Sequence, residues 1–132
     1  MSLHQLPIRV RYVECDPMGV AHHTAYPVWF EMGRTELLRS CGGNYAELER
    51  EGVMLAVITL GVNYKQPAFY DDELTLETTI DSCSRVKIEH SYVLKRDEDI
   101  LATGRTVLAC LDQAGRPREV PELLQEMFST RT

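Results

Sequence analysis

The chain has 132 residues, 44% hydrophobic and 26% charged, with a formal net charge of −6. That length suits one domain with a real core rather than two ordinary ones, so residues 1–132 read as a single unit. The acidic balance argues against a nucleic-acid face, and no run approaches the roughly 20 apolar residues that cross a bilayer.

The opening MSLHQLPIRV lacks a cationic segment followed by an apolar core, so it does not read as a signal peptide, and a cytoplasmic location is expected. Cys15, Cys41, Cys83 and Cys110 are scattered with no CxxC pair, which in an unsecreted protein means reduced thiols. Cys15 is the one to weigh as a nucleophile, because it adjoins Asp16.

Residues Ile8 to Glu14 alternate, with Ile8, Val10 and Tyr12 on one face, and predict a strand. Asp16, Pro17 and Gly19 break it. From Thr24 the period changes: Trp29, Gly33 and Leu37 recur at four-residue steps, flanked by Tyr26, Phe30 and Leu38. This predicts a largely buried helix, N-capped by Thr24, with Pro27 in its first turn and a stop at Cys41-Gly42-Gly43. Gly33 in its middle should cost about 1 kcal/mol against Ala, a cost that a close approach to a neighbouring element would offset.

Asn44 to Glu51 predicts a short polar helix capped by Asn44. Strands are expected at Val53–Phe69, with a bulge or bend at Gly61, and at Glu73–Ile80, Val86–Lys95 and Leu101–Asp112. Pro121 to Phe128 predicts a terminal helical turn or two. The short connections between the later strands imply antiparallel pairing, hence an α+β domain whose sheet curls around the apolar helix.

One stretch carries chemistry. Asp16 sits in a loop about seven residues before a helix start near His22, His23 and Thr24. Helix N-termini present unpaired N–H groups and partial positive charge, which attract developing oxyanions. A carboxylate facing such a terminus can attack a carbonyl, or deliver water to it. His23 has three readings: a structural residue, a side-chain assistant, or the donor of a backbone amide, the last being favoured. His22, His23, Asp16 and Glu31 are possible metal donors, but no HxxxH or similar spacing supports a metal.

The pattern Cys15-Asp16-x-x-Gly19-Val20-x-x-His23-x-x-Tyr26-x-x-Trp29-Phe30-Glu31 resembles the hotdog-fold acyl-CoA thioesterases. More narrowly, it resembles the 4-hydroxybenzoyl-CoA thioesterase family and the acyl-CoA thioesterases of the Tol-Pal gene neighbourhood. Val62-Asn63-Tyr64-x-x-Pro67-Ala68, Asp71-Asp72, Ala102-Thr103-Gly104 and Arg116-Pro117 extend the likeness over residues 8 to 121. The resemblance implies a curved antiparallel sheet wrapped around one long central helix, assembled into homodimers or homotetramers. It places Asp16 at the catalytic carboxylate position and Gly19 at the loop glycine. The His23 backbone amide falls at the oxyanion position, and Glu31 at a second acidic position that can border the acyl pocket across a subunit interface. His22 departs from the aromatic or aliphatic residue common in relatives.

Tyr26 and Trp29 are core by their stripe, and are also candidates to line an acyl channel because their polar ends need partners. Arg85 and Lys87, at i and i+2 of one predicted strand, are candidates for holding coenzyme A phosphates. The implied reaction is hydrolysis of an aromatic or short-to-medium-chain acyl-CoA. No cofactor is expected, coenzyme A being part of the substrate. The competing readings are a non-catalytic acyl-thioester-binding hotdog module and the dehydratase branch of the same fold. A pure binder gains nothing from a carboxylate beside an apolar channel, which disfavours the first.

Overall fold

In the computed structural model, which describes residues 3–129, the alternating segments build five strands. These are β1 (Leu3–Arg9), β2 (Met54–Tyr64), β3 (Glu73–Cys83), β4 (Lys87–Arg96) and β5 (Asp99–Leu111). They form one antiparallel sheet in the order β1-β3-β4-β5-β2. The period of two turns Leu74, Leu76, Thr78 and Ile80 of β3 inward, with Ile88, His90, Tyr92 and Leu94 of β4 beside them, and all eight are buried.

Helix α1 (Ala25–Ser40) lies on that face and buries Tyr26, Trp29, Phe30, Gly33, Leu37 and Leu38, the stripe its spacing predicts. Each large apolar side chain so buried contributes about 1.5–3 kcal/mol. At Gly33 helix and sheet approach closely: a Cβ there would sit 2.3 Å from Thr78 Oγ1 and 2.6 Å from Leu76 Cδ2. The expected close approach is therefore present. Gly42 closes the helix with a φ of 93°. Helix α2 (Tyr45–Arg50) is capped as expected, Asn44 Oδ1 accepting the N–H groups of Ala46 and Glu47. Helix α3 (Glu122–Ser129) sets Leu124 and Phe128 against Leu37, Leu38, Ile88 and Leu108. Among the described residues no helix is long and apolar enough to cross a membrane.

Several boundaries differ from expectation. The first strand ends at Arg9, and Tyr12–Glu14 forms a 3-10 turn that leaves Tyr12 80% and Val13 78% exposed. The cause is Glu14, whose carboxylate takes up the Arg11 N–H and guanidinium and curls the chain before a strand can continue. Gly61 is not a bulge: it pairs in register with Arg105, and the irregularity falls between Val57 and Thr59. Strand β2 has no neighbour on one side among the described residues, and such edges accommodate an extra residue readily. It also stops at Tyr64, because the Lys65 and Gln66 N–H groups both turn to the Leu101 carbonyl, and Pro67 has no N–H to offer. Thr24 holds the N-cap position of α1 without capping through its side chain. Its N–H is instead donated to His22 Nδ1 at 3.2 Å.

Candidate active site

Residues 14–22 fold into a miniature hairpin. At its base the His22 N–H is donated to the Glu14 carbonyl at 2.7 Å, and Cys15 bridges Ala21. At its tip the Asp16 N–H is donated to the Val20 carbonyl at 2.9 Å, and the Gly19 N–H to the Asp16 carbonyl at 3.0 Å. Gly19 has a φ of 81°, a left-handed conformation that side-chain-bearing residues adopt only with strain. The outer arm of the hairpin is sewn to the loop before β3: Ala21 N–H to Ala68 O at 2.8 Å, and Tyr70 N–H to Gly19 O at 3.2 Å.

That framework fixes Asp16. Its Oδ1 accepts the Met18 N–H at 2.8 Å, while Oδ2 accepts no hydrogen bond among the described residues. The carboxylate borders an open groove of about 540 Å³ lined by Tyr12, Cys15, Asp16, Pro17, Gly19 and Tyr70. Burial, together with the charges of Glu14 and Asp16, pushes the Cys15 thiol up, which disfavours the thiolate a nucleophilic cysteine needs.

The chain then enters α1 through His22, His23 and Thr24. The Ala25 N–H is donated to the His22 carbonyl at 3.0 Å, whereas the His23 N–H has no acceptor among the described residues. An unpaired amide at a helix start is the arrangement that polarises an ester carbonyl. The His23 carbonyl is held from the other side by the Tyr64 hydroxyl at 2.9 Å. His23 lines a second groove, of about 280 Å³, with Val20, Ala21, Tyr26 and Tyr64. Asp16 and His23 thus border neighbouring grooves, with the Val20–Ala21 arm between them.

Sequence reasoning missed Glu14. It is only 9% exposed, yet Oε1 accepts the Arg11 N–H at 2.8 Å, and Oε2 accepts Arg11 Nη2 at 3.1 Å and Trp29 Nε1 at 2.8 Å. Burial by itself would raise its pKa, but the Arg11 and Trp29 donors outweigh it and hold the carboxyl below the usual glutamate range. The i, i+3 spacing of Arg11 and Glu14 was the signal available, hidden because both fell inside a predicted strand.

Residues 10–128 match the model of the thioesterase-like superfamily. The chain belongs to that superfamily. This thioesterase-like chain is 33% identical over 109 residues to the acyl-CoA thioesterase YbgC of Haemophilus influenzae, covering 80% of this chain and 79% of that one. It is 29% identical over 129 residues to the acyl-CoA thioester hydrolase YbgC of Escherichia coli O157:H7, covering 96% of each. Among solved structures, the DHNA-CoA thioesterase of Staphylococcus aureus superposes with a TM-score of 0.94 at 29% identity, covering 99% of this chain and 91% of that one. The curved sheet on a central helix is the hotdog thioesterase fold, as expected from the motif.

Within this family member the other expected site residues are dispersed. Tyr26 reaches the His23 groove, packing edge-on against Tyr64 at 4.9 Å. Trp29 does not extend into either groove: it is 1% exposed in the core, and its indole N–H is donated to Glu14. Glu31 lies further along α1, exposed, at a separate cavity shared with Arg34, Thr35 and Tyr45. Arg85 is not on a strand with Lys87. It occupies the turn before β4, where it pairs with Glu119 at 3.2 Å and its carbonyl accepts the Val120 N–H. Both basic residues follow the far end of β3, whose 11 residues at about 3.3 Å each put them roughly 35 Å along the sheet from the Asp16 end.

Proposed function

We propose that this protein hydrolyses an acyl-CoA, with an aromatic or short-to-medium aliphatic acyl group, to the free acid and coenzyme A, and that Asp16 is the catalytic carboxylate. One observation carries the reading: Asp16 keeps Oδ2 free of hydrogen bonds beside an open groove, on the same small hairpin that delivers the unpaired His23 N–H at the start of α1. The acyl-CoA chemistry named for the E. coli and H. influenzae relatives supports the choice of ester.

Two routes use these groups. As nucleophile, Oδ2 bonds to the thioester carbon, the carbonyl electrons move onto oxygen against the His23 amide, and collapse expels the coenzyme A thiolate. Water then opens the mixed anhydride and returns the carboxylate. As general base, Asp16 takes a proton from water whose hydroxide adds to the same carbon, and the departing thiolate recovers that proton. In both, the amide stabilises the oxyanion, a contribution typically worth about 3–4 kcal/mol of barrier. Thiolate leaves readily, so no strong acid is required.

The working unit in this proposal is a homodimer or homotetramer. Strand β2 is an unpaired edge, and Met54, Val57, Ile58, Leu60 and Tyr64 along it are exposed. An apolar open edge invites strand pairing, and symmetric pairing with a second copy is the common solution. It also bears on coenzyme A: Arg85 and Lys87 follow the far end of β3 from Asp16, so in this proposal they serve an ester there from another copy. Light scattering at micromolar concentration should give a dimer or tetramer, and a monomer would contradict this assembly. The activity itself is tested by following free thiol release across a panel of acyl-CoAs. Turnover of at least one aromatic or short-to-medium ester is expected. Tight binding without thiol release would instead support a non-catalytic binding module.

A further inference from the structure

We infer that Glu14 is the positioning residue of the site, through its bond to Trp29. The inference rests on the reading of Asp16 and His23 as the reacting pair. Three donors converge on the Glu14 carboxylate, two from Arg11 and one from the Trp29 indole. Trp29 is locked into α1 and the core, ringed by Tyr26 at 4.9 Å. The carboxylate therefore pins the base of the hairpin to the helix that the hairpin leads into. The backbone of the same residue receives the His22 N–H at 2.7 Å, immediately before the free His23 N–H. Glu14 thus holds both arms: through its side chain the arm that carries Asp16, and through its carbonyl the arm that carries His23.

The demand is for a carboxylate specifically. All three groups facing Glu14 are donors, so an acceptor is needed at both oxygens. Glutamine presents one oxygen and one NH2, and whichever way the amide turns, an N–H faces an N–H: either Arg11's backbone or the Trp29 indole with the Arg11 guanidinium. The hairpin then has to shift. A displacement of the reacting groups by about 1 Å can cost a hundredfold in rate without altering what binds the rest of the substrate. A buried carboxylate two residues from the catalytic one is in this way a geometric element, while Asp16 remains free to react.

The test compares Glu14→Gln, Trp29→Phe, the double variant and Asp16→Asn, all in the full chain, by thiol release from one acyl-CoA. Glu14→Gln should lower kcat by about 10- to 100-fold with KM changed less than about threefold. Trp29→Phe keeps an aromatic ring at this buried position but removes the indole donor together with part of the ring volume, so it should fold with some loss of stability and should lower kcat in the same direction. The double variant should lose less than the product of the two single losses, since both residues belong to one hydrogen-bonded network. Trp29 is the only tryptophan, so its emission reports the bond directly and should shift in Glu14→Gln. Full kcat in both single variants, losses that multiply in the double, or a fall confined to thermal stability would overturn the positioning role. An inactive Asp16→Asn beside a fully active Glu14→Gln would overturn this inference alone. An active Asp16→Asn would overturn the underlying reading of the site.

Discussion

The hairpin end of α1 and the layer beneath its middle treat buried polar groups in opposite ways. At the hairpin, the buried Glu14 carboxylate meets three donors. Under the middle of α1, Thr78, His90 and Thr106 are buried on the inner face of the sheet, His90 across from Thr106 and Thr78 across from Tyr92, with the positive charge of Arg34 close to His90, Tyr45 and Tyr92. Tyr92 and Thr106 satisfy each other at 2.6 Å, but His90 Nδ1 and Thr78 Oγ1 have no partner among the described residues. The first region holds polar groups at fixed distances, as a reaction needs. The second carries a desolvation cost, of the order of 1–3 kcal/mol for each unpaired group, and lies between two hydrophobic clusters. Satisfied polarity thus marks the place where position matters, and apolar burial around the second region supplies the stability that tolerates its defects.

His90 is the strongest way to break this comparison. Burial, aided by the nearby positive charge of Arg34, pushes its pKa from 6.5 down to about 3. The unfolded chain accepts a proton on this imidazole below pH 6.5 and the folded protein does not. Its effect on stability is therefore nil above pH 6.5, and stability is lost as pH falls from there towards 3, by up to about 1.4 kcal/mol per pH unit. The lowered pKa of Glu14 works in the same direction, but only below the carboxylate range near 4.5. Urea midpoints at fixed protein concentration should fall between pH 7 and pH 5 in the parent protein and much less in His90→Gln. Equal slopes in the two would mean the polar layer is as well satisfied as the hairpin.

A smaller effect sharpens the comparison from the helix side. Gly33→Ala adds a methyl group 2.3 Å from Thr78 Oγ1 and 2.6 Å from Leu76 Cδ2. Overpacking of this kind costs about 1–3 kcal/mol, against about 1 kcal/mol gained from helix propensity, so a net loss of about 1 kcal/mol is expected. Urea unfolding should show that loss while kcat stays within about twofold, because the hairpin meets α1 at its start, about two turns before Gly33. A large fall in kcat with unchanged stability would show that the two regions are mechanically one.

Much of the fold was legible because it is periodic. The spacing of Trp29, Gly33 and Leu37 announced a buried helix and a close approach at the glycine, and both are present. Asn44 announced its cap through its type and place before a polar run. What stayed hidden was non-periodic. The alternation of Ile8, Val10 and Tyr12 suited a strand, but a side chain three residues from Arg11 captured the backbone and turned it. Trp29 was recognised as needing a partner for its N–H, and the partner proved to be a carboxylate 15 residues earlier rather than a ligand. The Arg85–Lys87 pair failed as a shared strand face because β4 begins only at Lys87 and Glu119 claims the Arg85 guanidinium. Periodicity reads one element at a time, whereas pairs like these are set by where elements meet.

The measurement that bears most directly on the whole account is turnover by Asp16→Asn. Asparagine keeps the shape of the side chain and an oxygen for the Met18 N–H, so the hairpin, the Trp29 emission and acyl-CoA binding should all persist. Thiol release should fall by at least the 10²-fold expected when a general base or nucleophile is lost. A folded Asp16→Asn protein that retains more than about a tenth of the parent kcat would contradict the assignment of the reaction to this carboxylate.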